Sequence, residues 1–300
     1  MYKKMRKVKI SLISEFIVVT MVLGAFLLLI QEDSPNKILE NVQEKNNLRQ
    51  PPSLFTEEEA EKNTEIKDIV NKVLVTHGIN IYYGEETRGI GNKLNAEELY
   101  NPITIYNNIK KIDKALTKYP PTLFQEFKEG KNNYSVSIYL VDKFNNDNVA
   151  LSTRNTKNDF KMYFSDREDL ENIMHHELFH ILEYFLQLEY DSNILFGKWS
   201  TCNPSGYVYP NSTRNITREF THEEKLIKEN VYFVSRYAKT SEKEDRAETF
   251  ADMMKEQTKP YYYSEEYAIN KKALILKTVL ELKFNSVTEE TKEEWEKFLE

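Results

Sequence analysis

Three hundred residues, 40% of them apolar and 30% charged, with a mean hydropathy of -0.63, exclude both a polytopic membrane protein and a wholly disordered chain. The single cysteine, Cys202, excludes an intrachain disulfide framework and a cysteine-rich zinc site. A net charge of -7 and a pI near 5.5 lack the basic footprint of a nucleic-acid binder, so no nucleic-acid partner is expected.

The chain reads as three parts: residues 1–30, a signal anchor or signal peptide; 31–66, a polar acidic tether; and 67–300, one folded domain. Lys3, Lys4, Arg6, Lys7 and Lys9 precede an apolar run from Ile10 to Ile30, broken only by Glu15 and small polar residues. That is the pattern of an export signal or membrane anchor. At about 1.5 Å per residue the run is long enough to cross a bilayer. No small-x-small cleavage pattern stands near Ile30, which favours an uncleaved anchor, with secretion as the outcome if the segment is removed. Basic flanks stay cytoplasmic, so the rest of the chain is expected outside the cell, at its surface. Pro35, Pro51-Pro52 and the acidic run Glu57-Glu58-Glu59 mark the tether.

Beyond the tether, Gly78-Ile-Asn-Ile-Tyr-Tyr-Gly84 predicts a short strand, and Ile103 to Leu116 an amphipathic helix closed by Pro120-Pro121. Ser135 to Val141, Val149 to Ser152 and Phe160 to Phe164 predict three more strands with Asn- and Asp-rich turns between them. From there the pattern is helical, apart from a loop-like stretch at Trp199 to Thr217. Strands first and helices afterwards give an α+β domain, a small mixed sheet packed on helices. Nothing in the sequence specifies an oligomeric state.

The chemistry is concentrated at His176-Glu177-Leu178-Phe179-His180. Two imidazoles four apart on a helix share one side, one turn apart, and can bind one Zn²⁺ per chain. Glu177, beside the first, can take a proton from the attacking water. Ser165 with Glu168 predicts a capping box for this helix, and Leu170, Ile173, Met174, Ile181, Leu182 and Phe185 predict its buried stripe. His175 reads as packing or as a support behind the metal ligands, and His77 and His222 as structural.

A third ligand must come from downstream, and the best source is Glu244-Asp-Arg-Ala-Glu248-Thr-Phe-Ala-Asp252 on a helix starting near Ser241. Two registers compete. Either Glu244 ligates while Glu248 orients a ligating histidine, or Glu248 ligates while Asp252 supports it. Ser241 and Glu244 also read as a capping box.

With HExxH and this glutamate-bearing helix, the chain resembles the gluzincin metallopeptidases. The run Tyr237-Ala-Lys-Thr-Ser-Glu-Lys-Glu244-Asp-Arg-Ala-Glu248-Thr-Phe is similar to the matching segment of the family of the anthrax lethal factor catalytic domain and the secreted Pro-Pro endopeptidases. There a tyrosine lies seven residues before the ligating glutamate and a supporting glutamate four after it, the spacing of Tyr237, Glu244 and Glu248. The resemblance spans about Ser165 to Met254. It implies a zincin-like fold, a Zn²⁺ on His176, His180 and Glu244, Glu177 as general base, Tyr237 as oxyanion donor, and a protein or peptide substrate. The chain departs from the pattern at Phe179, where the family often has glycine, and in the long interval from His180 to Glu244. A binding protein of the same fold without hydrolysis is the alternative, and the intact Glu177 argues against it.

Overall fold

The computed structural model describes residues 57–88, 96–144, 150–155, 158–190, 195–210, 232–255, 264, 267–288 and 293–296. The apolar run at Ile10 to Ile30 and most of the tether lie outside the described residues. Among those described, no helix is long and apolar enough to cross a membrane.

The first element, α1 (Glu57–His77), starts inside the stretch read as tether, so residues 57–66 are helix instead. Its acidic first turns hide a stripe at Ile66, Ile69, Val70 and Val73, the i, i+3, i+4, i+7 spacing of one helical face. Ile66 and Val73 are buried in the core. Gly78 ends the helix at φ 70, a left-handed conformation that favours glycine, with its N–H bonded to Leu74 O at 2.9 Å. Next come β1 (Ile79–Tyr82), β2 (Ala96–Glu98), α2 (Pro102–Leu116), the one-turn α3 (Glu126–Glu129), β3 (Ser135–Phe144), β4 (Ala150–Asn155) and β5 (Asp159–Phe164). The short β2 went unread in the sequence. Asn101 caps α2 by accepting from Thr104 N, with Pro102 at the first helical position.

The sheet runs β1-β3-β5-β4, with β2 paired to β3 off that path. Strands β1, β3 and β5 are parallel, while β4 is antiparallel to β5 and β2 to β3. In register, Val136, Ile138 and Leu140 of β3 meet Phe160, Met162 and Phe164 of β5, and all six enter the main core. The opposite face carries Tyr82, Tyr139 and Tyr163 in successive stacks at 4.9 and 5.1 Å. Strand β5 is therefore hydrogen-bonded on both sides, and β4 lies at the sheet's edge beside it.

Behind the sheet lies α4 (Leu170–Glu189), in contact with β4, β5, α2 and α5 (Glu242–Met253), and α5 in turn contacts α6 (Ala268–Lys283). The expected capping box at Ser165 and Glu168 does not start α4. Phe164 is still strand, residues 165–169 turn the chain, and the helix begins after Asp169, whose carbonyl accepts from Ile173 N at 3.1 Å. The stretch read as loop from Trp199 is also more ordered than expected: Trp199–Cys202 is a 3₁₀ turn and the Trp199 ring is fully buried. His222 lies outside the described residues.

Candidate metal centre

The His-bearing helix is buried nearly all round through its middle, from Ile173 to Leu186. Phe179, between the two histidines, packs on Phe250 of α5 at 5.0 Å and faces Phe196 at 6.4 Å. Burying such a ring contributes about 1.5–3 kcal/mol, and here it clamps α4 to α5. A glycine at this position would lack that clamp.

Helix α5 is set by Ser241, whose hydroxyl oxygen accepts from Glu244 N at 3.2 Å. The expected cap is present, and the Glu244 side chain does not return to close a box. It turns to the histidines instead. Glu244 Oε2 lies 3.1 Å from His176 Nε2 and 3.4 Å from His180 Nε2, and the two Nε2 atoms are 3.1 Å apart. These three residues form the one group among the described residues whose ligand atoms could hold a metal ion, all within 4.8 Å of one another.

Ligands at about 2.0–2.1 Å from a tetrahedral ion stand about 3.3–3.4 Å apart, and the observed separations bracket that value. Glu244 Oε2 is buried with no hydrogen-bond partner among the described residues, aimed at two imidazole nitrogens. The first turn of a helix favours a carboxylate's negative charge. The donor set of two imidazoles and one carboxylate therefore fits zinc in chemistry and in spacing.

Glu248, one turn on, lies behind His176, with Oε1 2.8 Å from Nδ1. It thus stands on the ring nitrogen away from the triangle, where a carboxylate orients an imidazole and raises its basicity. Glu248 Oε2 accepts from Ser235 Oγ at 2.7 Å, and Ser235 Oγ accepts from Ala238 N at 3.0 Å. That chain of contacts holds the 3₁₀ turn Tyr237–Lys239, and the Tyr237 ring centroid is 5.9 Å from that of His176. Asp252 is not in the metal-capable group. It is buried and paired with Lys255 at 2.9 Å.

Burial alone would lower the His176 pKa, but the Glu244 and Glu248 carboxylates outweigh it and raise it to about 10. Burial opposes ionisation of Glu244 too, yet His176 and His180 hold it well below the usual carboxylate range. Glu177 is buried beside them. His175 points the other way, with Nδ1 2.8 Å from the Tyr119 hydroxyl, and burial pushes its pKa down to about 3.

Two buried polar connections were not foreseen. Arg246 Nε and Nη2 donate to Glu183 Oε1 at 3.1 and 2.5 Å, joining α5 to α4. Asp245, beside Glu244 and fully buried, has Oδ2 accepting from Trp199 Nε1 at 2.9 Å, Tyr209 OH at 2.6 Å and Lys272 Nζ at 2.6 Å. A charged residue in an otherwise apolar stripe, such as Glu183, is the sequence signal that could have revealed the first.

The sequence profile of a family described as "Putative zinc-binding metallo-peptidase" matches residues 96–297, two thirds of the chain and all of this site. The chain belongs to that family. A crystal structure titled as a "putative zinc-binding metallo-peptidase" from Bacteroides caccae ATCC 43185 is similar at 17% identity, with a TM-score of 0.49, over 82% of this chain and 92% of that one. No curated protein matches the chain.

Proposed function

We propose that this family member is an extracytoplasmic zinc-dependent metalloendopeptidase of the gluzincin type, akin to the lethal factor and Pro-Pro endopeptidase group. It is held at the cell surface by residues 1–30, or secreted where that segment is cleaved. The observation that carries the reading is the convergence of His176 Nε2, His180 Nε2 and Glu244 Oε2 with a buried glutamate, Glu177, next to the first histidine.

His176, His180 and Glu244 would hold one Zn²⁺, with Glu248 orienting His176. Zinc, when bound, supplies Lewis-acid activation of water and of the peptide carbonyl. Glu177 accepts the proton of the attacking water and returns it to the leaving amine. Tyr237 donates a hydrogen bond to the oxygen that gains charge. Strand β4 is the candidate to pair with an extended substrate, because it lies at the sheet's edge, whereas β5 is paired on both sides.

The test is Glu177→Gln in the full chain. The amide fills the same volume but cannot take the proton, so zinc content and melting temperature stay near wild type while peptide hydrolysis is nearly abolished. Retention of wild-type turnover refutes the mechanism. Absence of hydrolysis by the wild-type, zinc-loaded protein transfers the chain to the non-hydrolytic binding alternative.

A further inference from the structure

One turn after His180 on the same helix stands Tyr184, its ring stacked on the His180 ring at 6.4 Å and 26°. It is half-buried, and no hydrogen bond ties its hydroxyl to another of the described residues. Over this ring, 5.4 Å from its centroid, sits Lys243 Nζ, carried by the exposed residue just before Glu244. Three cations nearby have carboxylate partners: Arg246 with Glu183 and Glu242, Lys272 with Asp245, Lys255 with Asp252. Lys243 has no such partner among the described residues. Among the described residues the site thus combines acids that face the histidines with an ammonium that has no carboxylate partner and a phenol that has no hydrogen bond.

We propose that Lys243 and Tyr184 form a carboxylate-recognition subsite that selects substrates with an acidic group close to the scissile bond, a reading that rests on the peptidase function above. An ammonium and a phenol both donate, and a carboxylate accepts from both. The cation–π contact holds the flexible lysine stem over the ring, and the ring fixes it relative to His180. The two centroid spacings put the ammonium within about 12 Å of the His180 ring, and an extended peptide advances about 3.3–3.6 Å per residue. The recognised carboxylate therefore lies within about three residues of the cleaved bond. Either an internal Asp or Glu side chain or the peptide's own C-terminal carboxylate supplies it.

The experiment digests a mixed peptide library with the zinc-loaded full chain and reads the cleavage sites by mass spectrometry. Synthetic versions of one cleaved peptide then follow, with Glu, Gln or Lys at the enriched position and with a free or amidated C-terminus. The expected result is a kcat/KM ratio of acidic to neutral peptide of about fivefold, the size of one exposed charge pair, carried mainly by KM and shrinking in high salt. Lys243→Met abolishes the ratio, Lys243→Arg restores it, and Lys243→Glu turns it toward the lysine peptide, with zinc content equal in all. Loss of the preference on amidation assigns the terminal carboxylate, and its persistence assigns the side chain. Cleavage blind to acidic groups, or a ratio unchanged in Lys243→Met, overturns the subsite alone. No cleavage of any peptide by wild type overturns both the subsite and the peptidase reading.

Discussion

Replacing Glu248 with glutamine separates a carboxylate that holds the metal from one that orients a ligand. Glu248 Oε1 lies 2.8 Å from His176 Nδ1, and Ser235 Oγ lies 2.7 Å from its other oxygen. The amide keeps the volume and an acceptor oxygen, so the imidazole keeps its orientation and loses only the neighbouring charge. At 2.8 Å and an effective dielectric of about 20, a full charge pair amounts to about 6 kcal/mol, which sets the ceiling. Carboxylates in this orienting position typically change metal affinity by about 10–100-fold, or about 1.4–2.7 kcal/mol, well inside that ceiling. Glu244→Gln, by contrast, removes an oxygen that faces both Nε2 atoms at 3.1 and 3.4 Å. Its loss of zinc affinity is expected to exceed that of Glu248→Gln. Competition against a chromophoric chelator measures both, with melting temperature of the metal-free proteins as a control on folding. A larger loss at Glu248 would mean that the ligand register is shifted by one helical turn and that the triangle around Glu244 Oε2 is not the metal site.

Tyr237→Phe is expected to reduce turnover by about 10²–10³ with little change in KM, melting temperature or zinc content; full turnover, or joint loss of stability and activity, returns the residue to packing. The pKa of His175 is about 3 in the fold, against 6.5 for a free histidine, so the unfolded chain takes up the proton first as pH falls. The stability this neutral histidine provides is therefore complete above about pH 6.5 and is lost down to about pH 3, about 3 kcal/mol between pH 7 and pH 4, and urea titrations should show a shallower pH slope for His175→Gln than for wild type.

The parts of the fold legible in the sequence were those whose signal is local. Strand β3 alternates around Val136, Ile138 and Leu140, and α2 carries Ile105, Ile109 and Ile112 on one face. The histidine pair was legible because helix geometry alone brings positions 176 and 180 together. Where two elements meet, sequence reading left two registers open: which of residues 244 and 248 faces both Nε2 atoms depends on the rotation of α5 about its axis, which Phe250, Arg246 and Asp245 set by packing. The first half of α1 was misread because its charged residues mask the Ile66 to Val73 stripe. The Ser165 cap failed because a favourable capping pair does not start a helix while the chain is still turning out of a strand. Ser235, Glu183 and Asp245 stayed hidden because a polar side chain becomes informative only when its partner, distant in sequence, is known.

The polar knot at Asp245 also bears on how this protein can change over evolutionary time. Trp199 and Tyr209 are pinned to the start of α5, and Phe179 and Glu183 pin α4 to the same helix, so the two metal-facing helices are tied by contacts between residues far apart in the sequence. A substitution at any one of these positions therefore has to be matched by a change in its distant partner if the spacing of His176, His180 and Glu244 is to be kept, so these positions are expected to change together.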